Sequence, residues 1–188
     1  MRIAAFNGSP REMGNTGRIM REVLLQAKQQ GAAVELWQVS GMEVADCTGC
    51  LDCSAEGVCS TSDEMREAYQ KMREADVVFL GSPIYMGAET GSMKCFVDRL
   101  RALFDAKSVR VMGRGKKAVV LFTCGLSDGD RVYAYLNVRF FKIFVPMLGF
   151  EEVLTIIVPG TKDPEHIMEN HCAQNAVEDI IRFIGKVG

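Results

Sequence analysis

Four cysteines lie close together in the chain, and their spacing suits the binding of an inorganic cofactor. They are Cys47, Cys50, Cys53 and Cys59. The first three follow one another at intervals of three residues, and the same Cys-x2-Cys-x2-Cys element supplies three thiolate ligands of a 4Fe–4S cluster in ferredoxins. Cys59 is available as a fourth thiolate, and Gly49 gives the loop backbone freedom for tight wrapping. The spacing therefore predicts a 4Fe–4S site.

Two other uses of these cysteines remain as alternatives. A structural zinc also takes four thiolates, but typical zinc sites use two cysteine pairs that are well separated in the sequence. A disulfide needs an oxidising compartment, and the first residues resemble a strand rather than a secretory signal. A redox-active cysteine pair stays open as an alternative.

A glycine-rich segment, residues 8–17 (GSPREMGNTG), lies between a predicted strand and a predicted helix. Such a loop presents unpaired backbone N–H groups and the positive end of the helix dipole to a ligand. Gly14 lets the backbone approach closely, and the polar side chains add donors and a cation. These side chains are Ser9, Arg11, Asn15 and Thr16. The spacing matches neither a dinucleotide fingerprint nor a P-loop, so it predicts a site for a phosphate monoester.

Two further loops follow predicted strands, at residues 81–87 (GSPIYMG) and 123–126 (TCGL). Pro83 stiffens the first loop, and Tyr85 offers a flat apolar face. Gly87 and Gly125 permit close approach of the backbone. A planar ring at residues 83–87, with its phosphate at the glycine-rich segment, is the arrangement expected for flavin mononucleotide (FMN).

The fold must bring these three loops together at one edge of a sheet. Residues 3–6, 77–80, 118–122 and 153–158 are almost continuously apolar, which is typical of parallel strands buried on both faces. Residues 33–39 are more mixed and suit an edge strand. Helical patterns separate the strands, and right-handed crossovers then give a doubly wound α/β fold. Five strands favour the flavodoxin-like order 2-1-3-4-5, with helices on both faces and ligands at the carboxyl ends of the strands.

Five helices are predicted from apolar periodicity and capping residues. The first follows Asn15–Thr16, and the second is capped by Ser62 with Asp63. The third and fourth cover residues 93–104 and 133–148. Asp163 followed by Pro164 is expected to open the last helix.

Composition excludes several classes of protein. The chain has 188 residues, 48% of them hydrophobic, and a net charge of −2. This balance disfavours disorder, nucleic-acid binding and a membrane-surface role, and no apolar run reaches the length of a membrane span. We expect residues 1–188 to form one cytoplasmic FMN-binding domain, with the cysteine-rich loop 47–59 inserted after the second strand.

The segments GSPREMGNTG and GSPIYMGAETGSMKCFVDR resemble signature segments of the NAD(P)H-dependent FMN reductase family, and the similarity runs through the whole chain. The resemblance implies FMN as cofactor, with its phosphate at the glycine-rich segment and its isoalloxazine ring at the two later loops. It also implies a homodimer or homotetramer. The residues expected to bind FMN are Ser9, Pro10, Arg11, Gly14, Asn15, Thr16, Pro83, Ile84, Tyr85, Met86, Gly87, Thr123, Cys124 and Gly125.

The cysteine pattern resembles that of the iron–sulfur flavoproteins, the branch of this family that carries FMN and one 4Fe–4S cluster. Unlike the ferredoxin form, it has no proline after the last cysteine. Some FMN reductases keep a similar loop, followed by an acidic residue and methionine like Glu64-Met65 here, without a cluster.

Three functions follow from these expectations. The first is an FMN-dependent oxidoreductase that passes electrons through a 4Fe–4S cluster to a redox partner such as a ferredoxin. The alternatives are a cluster-free FMN or quinone reductase and a flavodoxin-like electron carrier without turnover. NAD(P)H is the expected electron donor of a reductase. No side chain is assigned as an acid or base, because the flavin itself supplies the chemistry.

Overall fold

The computed structural model describes residues 1–53, 59–104 and 113–185, and within them one parallel sheet forms the centre of the fold. Its strand order is β2-β1-β3-β4-β5, and every neighbouring pair is parallel. The strands are β1 (Arg2–Asn7), β2 (Ala33–Gln38), β3 (Val77–Pro83), β4 (Lys117–Thr123) and β5 (Glu152–Val158). The flavodoxin-like topology predicted from the sequence is confirmed.

Helices cover both faces of the sheet. They are α1 (Asn15–Gln29), α2 (Met65–Glu74), α3 (Gly91–Arg99), α4 (Gly129–Val132), α5 (Ala134–Lys142) and α6 (His171–Ile184). Successive side chains of a strand point to opposite faces, so each central strand contributes to two apolar layers. Ala4 and Phe6 of β1 pack in the layer of α2, α3 and α5. Ile3 and Ala5 pack in the layer of α1 and α6.

Three sequence expectations about regular structure need correction. Strand β5 is an edge strand and is mostly half-buried, because no strand pairs with its outer side in the described sheet. The helix expected over 93–104 ends at Arg99 and continues as a 3₁₀ turn, Leu100–Leu103. The helix expected over 133–148 ends at Lys142 and passes into a π-helical turn, Ile143–Met147. This turn contains Pro146, which lacks the N–H that an α-helix requires.

The start of the last helix is also different from the sequence prediction. Asp163 and Pro164 begin a short turn, whereas α6 starts at His171 and is capped by Asn170. Asn170 Oδ1 accepts hydrogen bonds from the backbone N–H groups of Cys172 at 2.9 Å and Ala173 at 3.2 Å. His166 therefore lies outside the helix that contains His171, and both are exposed. Residues Thr161, Lys162 and Pro164, which precede His166, instead lie at the carboxyl edge of the sheet.

Among the residues that the structure describes, no helix is both long enough and apolar enough to cross a bilayer.

The cap of α6 gives a stability test. Asn170→Ala removes both cap hydrogen bonds, and we expect it to lower the free energy of unfolding by about 1 kcal/mol. The matched control is Asn175→Ala, which makes the same chemical change at an exposed position inside α6. Alanine is the better helix former there, so the control should be neutral or slightly stabilising. Urea unfolding of both variants measures the difference, and equal effects would contradict the cap assignment.

Candidate functional site

The loop after β1 enters α1 without a side chain capping the helix. Gly14 is the N-cap residue, and no side chain accepts a hydrogen bond from the first helical turn. The backbone N–H groups of this turn are therefore available to an anion. Arg11 is exposed beside them. The phosphate site predicted from the sequence lies at this helix end and stays a prediction.

A hydrogen-bond network built on β1 and β2 fixes this loop. The side chain of Asn7 donates to Gln38 Oε1 at 2.9 Å and accepts from the backbone N–H of Ser9 at 3.1 Å. Gln38 Nε2 donates to the carbonyl of Ser9. Ser9 Oγ in turn donates to the carbonyl of Arg11 at 2.9 Å. Gln38, at the end of β2, is a loop-positioning residue that the sequence interpretation missed.

Helix α1 is joined to the ends of β4 and β5. Thr16 Oγ1 and Thr123 Oγ1 share a buried hydrogen bond of 2.7 Å. Asn15 Nδ2 donates to the carbonyl of Thr161 at 2.8 Å. These contacts bring the phosphate loop, the loop after β4 and the loop after β5 against one another. The carboxyl edge of the sheet is thereby closed around one cleft.

The loop after β3 makes a tight turn. Met86 and Gly87 both have left-handed backbone angles, with φ of +50° and +85°. Tyr85 and Ala88 pair on either side of the turn through their backbone N–H and carbonyl groups. Two successive positive φ values are typical of a type I′ turn, in which glycine is favoured and methionine is not. The side chain of Met86 consequently points into solvent and is fully exposed.

Helix α5 holds this turn from outside. Tyr135 Oη donates to the carbonyl of Gly87. Arg139 forms a two-pronged ion pair with Glu89, whose carboxylate is buried, and one of the two bonds measures 2.6 Å. Both contacts hold the carboxyl-terminal side of the turn, although neither α5 residue carried a recognisable signal in the sequence.

The loop after β4 contributes backbone rather than a reactive thiol. Cys124 is buried, its N–H donates to the carbonyl of Val158 at 3.1 Å, and its carbonyl accepts from Thr161 at 2.8 Å. Burial raises the pKa of the Cys124 thiol. A Cβ added to Gly129 would lie 2.1 Å from Cys124 Sγ, so the thiol packs against that glycine.

One cleft of about 150 Å³ lies where these loops meet. Of the residues expected to bind FMN, those that line it are Ser9, Arg11, Gly14, Asn15, Thr16, Pro83, Ile84, Tyr85, Thr123, Cys124 and Gly125. Pro10, Met86 and Gly87 are outside the lining of the cleft. Three lining residues were missed, and they belong to the loop after β5: Thr161, Lys162 and Pro164. That loop has no glycine-rich motif, but the sheet order alone places it at the same edge.

Some backbone N–H groups of the loops after β3 and β4 are already used, and others are not. The N–H groups of Ile84 and Tyr85 donate to Thr123 and Ala88. Within the described part of the chain, those of Met86, Gly87 and Gly125 donate to no protein group. Donors directed at a planar ring can stabilise negative charge that develops on it during reduction.

The four clustered cysteines line a second, smaller cavity. This cavity has a volume of about 30 Å³, and Arg99 and Arg101 also form its wall. Cys47 and Cys50 are exposed, Cys53 is buried, and residues 54–58 of the loop lie outside the described residues. No group of three or more His, Cys, Asp or Glu side chains in the described ranges is placed to hold a metal ion. All seven cysteines are free thiols.

A buried ion pair holds the cysteine-bearing segment. Arg99 Nη1 donates to Asp63 at 2.7 Å and to the carbonyl of Ala45 at 2.8 Å, and Arg99 Nη2 donates to the other Asp63 oxygen at 3.1 Å. Ala45 precedes Cys47, and Asp63 follows Cys59. One guanidinium therefore connects the two ends of the segment.

The electrostatics of this cavity favour thiolates at one end. Burial opposes ionisation of Cys59, but hydrogen bonds from Thr61 and the charge of Arg99 outweigh it, so the pKa of Cys59 is lowered. Burial raises the pKa of Cys53, and the other three clustered cysteines add to this effect, against the opposing charge of Arg101. A positive ion in the cavity would offset the mutual repulsion of the thiolates.

Two comparisons with known proteins cover most of the chain. The sequence profile of the NADPH-dependent FMN reductase family matches residues 1–151. An iron–sulfur flavoprotein of Archaeoglobus fulgidus is 30% identical over 161 residues, which cover 86% of this chain and 78% of that protein.

Two further likenesses are partial or distant. An iron–sulfur flavoprotein of Methanocaldococcus jannaschii is 38% identical over 103 residues, 55% of this chain and 53% of that protein. This match thus spans about half the length of that relative. The solved structure of an NAD(P)H:quinone oxidoreductase from Methanothermobacter marburgensis has a TM-score of 0.72 at 14% identity, over 97% of this chain and 94% of that one. At this identity the likeness shows the fold alone.

The Arg99–Asp63 pair predicts a specific dependence of stability on pH. Burial opposes ionisation of Asp63, but hydrogen bonds from Arg99 and Ala45 lower its pKa. Its stabilising effect is therefore complete above the unfolded-state pKa of about 3.9 and is lost as the pH falls through the lower folded-state value. Asp63→Asn should lower the free energy of unfolding by about 3 kcal/mol at pH 7, and the difference from wild type should shrink below about pH 4.

Denaturant unfolding under reducing conditions at several pH values measures this difference. The matched control is Asp98→Asn, which removes an exposed ion pair with Lys94 and should change stability by less than about 0.5 kcal/mol. A difference between wild type and Asp63→Asn that stays constant down to pH 3 would show that Asp63 does not act through its charge.

Proposed function

This chain belongs to the NADPH-dependent FMN reductase family of flavin-dependent oxidoreductases, in its iron–sulfur flavoprotein branch, and we propose that it binds FMN and one 4Fe–4S cluster. In this proposal residues 1–188 act as a single domain that exchanges electrons with a redox partner. The observation that carries it is the convergence of four cysteines on one cavity in a chain that also has the three-loop cleft.

The cleft has the donor set that FMN requires. Uncapped N–H groups of α1 and the exposed Arg11 suit a phosphate, and Asn15 and Thr16 lie beside them. Asn15 Oδ1 is buried and accepts no hydrogen bond from any described residue, so a ribityl hydroxyl is a suitable donor for it. Pro83, Ile84 and Tyr85 offer an apolar wall for a planar ring.

The cysteine cavity has the ligand set that a 4Fe–4S cluster requires, namely four thiolates. A cavity of about 30 Å³ is smaller than a 4Fe–4S core, so the cysteine side chains must move apart when a cluster is loaded. Exposed Cys47 and Cys50 leave room for that movement. Gly49 and Leu51 have left-handed backbone angles, with φ of +70° and +69°, which turn the loop sharply around the cavity.

In this proposal the chain holds FMN and the cluster, orients them and offsets their negative charge. When bound, FMN would exchange two electrons and the cluster one electron at a time. The loop after β3 would hold the ring, and the N–H group of Gly125, which lines the cleft and donates to no described protein group, would stabilise negative charge on it. Arg99 and Arg101 would offset the negative charge of the ligating thiolates.

A cluster-free NAD(P)H-dependent FMN or quinone reductase is the second candidate. It is favoured by one observation, that no metal-holding group is formed among the side chains described here. In this candidate NAD(P)H reduces FMN directly, and the cysteine-rich loop has no redox role. Bleaching of bound FMN by NADPH at the same rate in iron-free and iron-loaded protein would support it.

We also propose assembly into a homodimer or homotetramer in the cytoplasm, where a reduced cluster can persist. Apolar side chains of α5, Val138 and Phe141, are about half exposed, at 56% and 51%. Tyr85 and Met86 extend this exposed apolar character to the rim of the cleft. Contact with a second copy or with a ferredoxin-like partner would cover them, and sedimentation of the FMN-loaded protein distinguishes a monomer from an assembly.

The phosphate assignment is tested by comparing two flavins. Arg11→Gln removes a cation beside the uncapped helix end, and we expect it to weaken FMN binding about tenfold, or about 1.4 kcal/mol. Riboflavin lacks the phosphate, so its affinity should stay within about twofold of the wild-type value. Quenching of flavin fluorescence measures both constants.

A matched control is Arg2→Gln, an exposed arginine at the opposite, amino-terminal end of β1. It should leave both affinities unchanged. An equal loss of FMN and riboflavin affinity in Arg11→Gln would contradict a phosphate contact.

The ligand assignment is tested with single Cys→Ala variants at positions 47, 50, 53 and 59. After anaerobic reconstitution, each should hold less than half of the iron and acid-labile sulfide that wild type holds, because each loses one thiolate. Cys172→Ala, an exposed cysteine on α6, is the matched control and should load fully. Full loading of any of the four variants would remove that cysteine from the ligand set.

A further inference from the structure

Arg99 is the largest of the fully buried side chains in the described structure, and its position is unusual for a charged residue. Its side chain is 1% exposed, yet it forms part of the wall of the cysteine cavity. Charged side chains are almost never fully buried unless they are paired. The partner of Arg99 is Asp63, which does not line the cavity. The pair is therefore a dipole whose positive end faces the cysteines.

Of the three guanidinium nitrogens of Arg99, one is buried and has no hydrogen-bond partner among the described residues. Both protons of Nη1 and one of Nη2 are directed to Asp63 and to the carbonyl of Ala45. The Nε–H is buried and has no acceptor among the described residues. A buried donor without an acceptor is costly, and this one belongs to a residue that lines the same cavity as the four cysteines. A thiolate or cluster sulfide is the acceptor that the surroundings can supply.

We propose that Arg99 is a positioning residue for the 4Fe–4S cluster that holds both ends of the ligand-bearing segment and stabilises the reduced cluster. The inference rests on the proposed function. Reduction adds one electron and one negative charge to the cluster and breaks no bond. Net charge and hydrogen bonds to sulfur are the properties by which a protein sets a cluster's potential. The guanidinium supplies a positive charge and the Nε–H a donor.

Two substitutions separate the charge effect from a structural one. Arg99→Gln removes the positive charge, so the reduction equilibrium constant should fall at least tenfold, a shift of about 59 mV for one electron. Asp63→Asn removes the negative charge behind Arg99 and should shift the constant in the opposite direction. General loosening of the loop would shift the reduction equilibrium constants of both variants in the same direction. Arg182→Gln, exposed on α6, is the control and should match wild type.

The experiment is an anaerobic dithionite titration of the FMN- and cluster-loaded protein, with the reduced cluster followed by electron paramagnetic resonance. Iron and sulfide are counted for each variant, and FMN affinity reports whether the chain is folded. Opposite shifts in Arg99→Gln and Asp63→Asn support the proposal. Wild-type potentials in both variants, or shifts of the same sign, overturn it.

A third variant keeps the proposal testable if Arg99→Gln does not fold. Arg99→Lys keeps the charge but cannot bind Asp63 and Ala45 while presenting an Nε–H. Its cluster should be lost to a chelator at least fivefold faster than the wild-type cluster. An unchanged rate of loss would show that Arg99 does not hold the two ends of the ligand-bearing segment. If wild type takes up no iron or sulfide, the proposed cluster function fails and this inference with it. If wild type loads fully and the variants behave like it, only this inference fails.

Discussion

Parallel strands of one sheet all end at the same edge, and the candidate flavin site depends on this constraint. The loops after β1, β3, β4 and β5 are far apart in sequence but must meet there. Hydrogen bonds of Thr16 to Thr123 and of Asn15 to Thr161 then join three of these loops across the sheet. The sheet topology therefore creates the cleft, and these hydrogen bonds fix the relative positions of the loops that line it.

Helix α3 connects the cleft to the cysteine cavity. At its start, Thr90 caps the helix, donates to the carbonyl of Gly8 at 2.6 Å and accepts from Met93 N–H at 3.2 Å. At its end, Arg99 holds the cysteine-bearing segment. The rise of an α-helix separates residues 91 and 99 by about 12 Å along the axis. Tyr69 donates a hydrogen bond to the carbonyl of Arg99 at the end of this helix, and burial raises the pKa of Tyr69 to about 12. One rigid element therefore fixes the flavin loops and the cysteine segment relative to each other.

The sequence was informative where a residue type has one dominant physical use. Apolar runs located four of the five strands, and a mixed apolar and polar segment located β2. The glycine-rich and proline-containing loops located most of the cleft, because close backbone approach requires such residues. Asp163-Pro164 suggested a helix start, but Asn170 offers the same capping chemistry and lies directly before the helix. Thr161 and Lys162 carry no motif and reach the cleft only through the sheet order. Arg99 was missed because a charged residue in an amphipathic helix is normally assigned to solvent, although Phe96 in the same helix and Leu103 in the 3₁₀ turn after it are buried.

The central claim is that one chain carries both FMN and a 4Fe–4S cluster. It is tested most directly by the composition of the wild-type protein, isolated and kept without exposure to air. Flavin extraction, iron and acid-labile sulfide should give one FMN, four iron atoms and four sulfides per chain, the composition that a single 4Fe–4S cluster requires. One FMN per chain with no iron or sulfide, both before and after anaerobic reconstitution, would contradict the account and leave the cluster-free reductase.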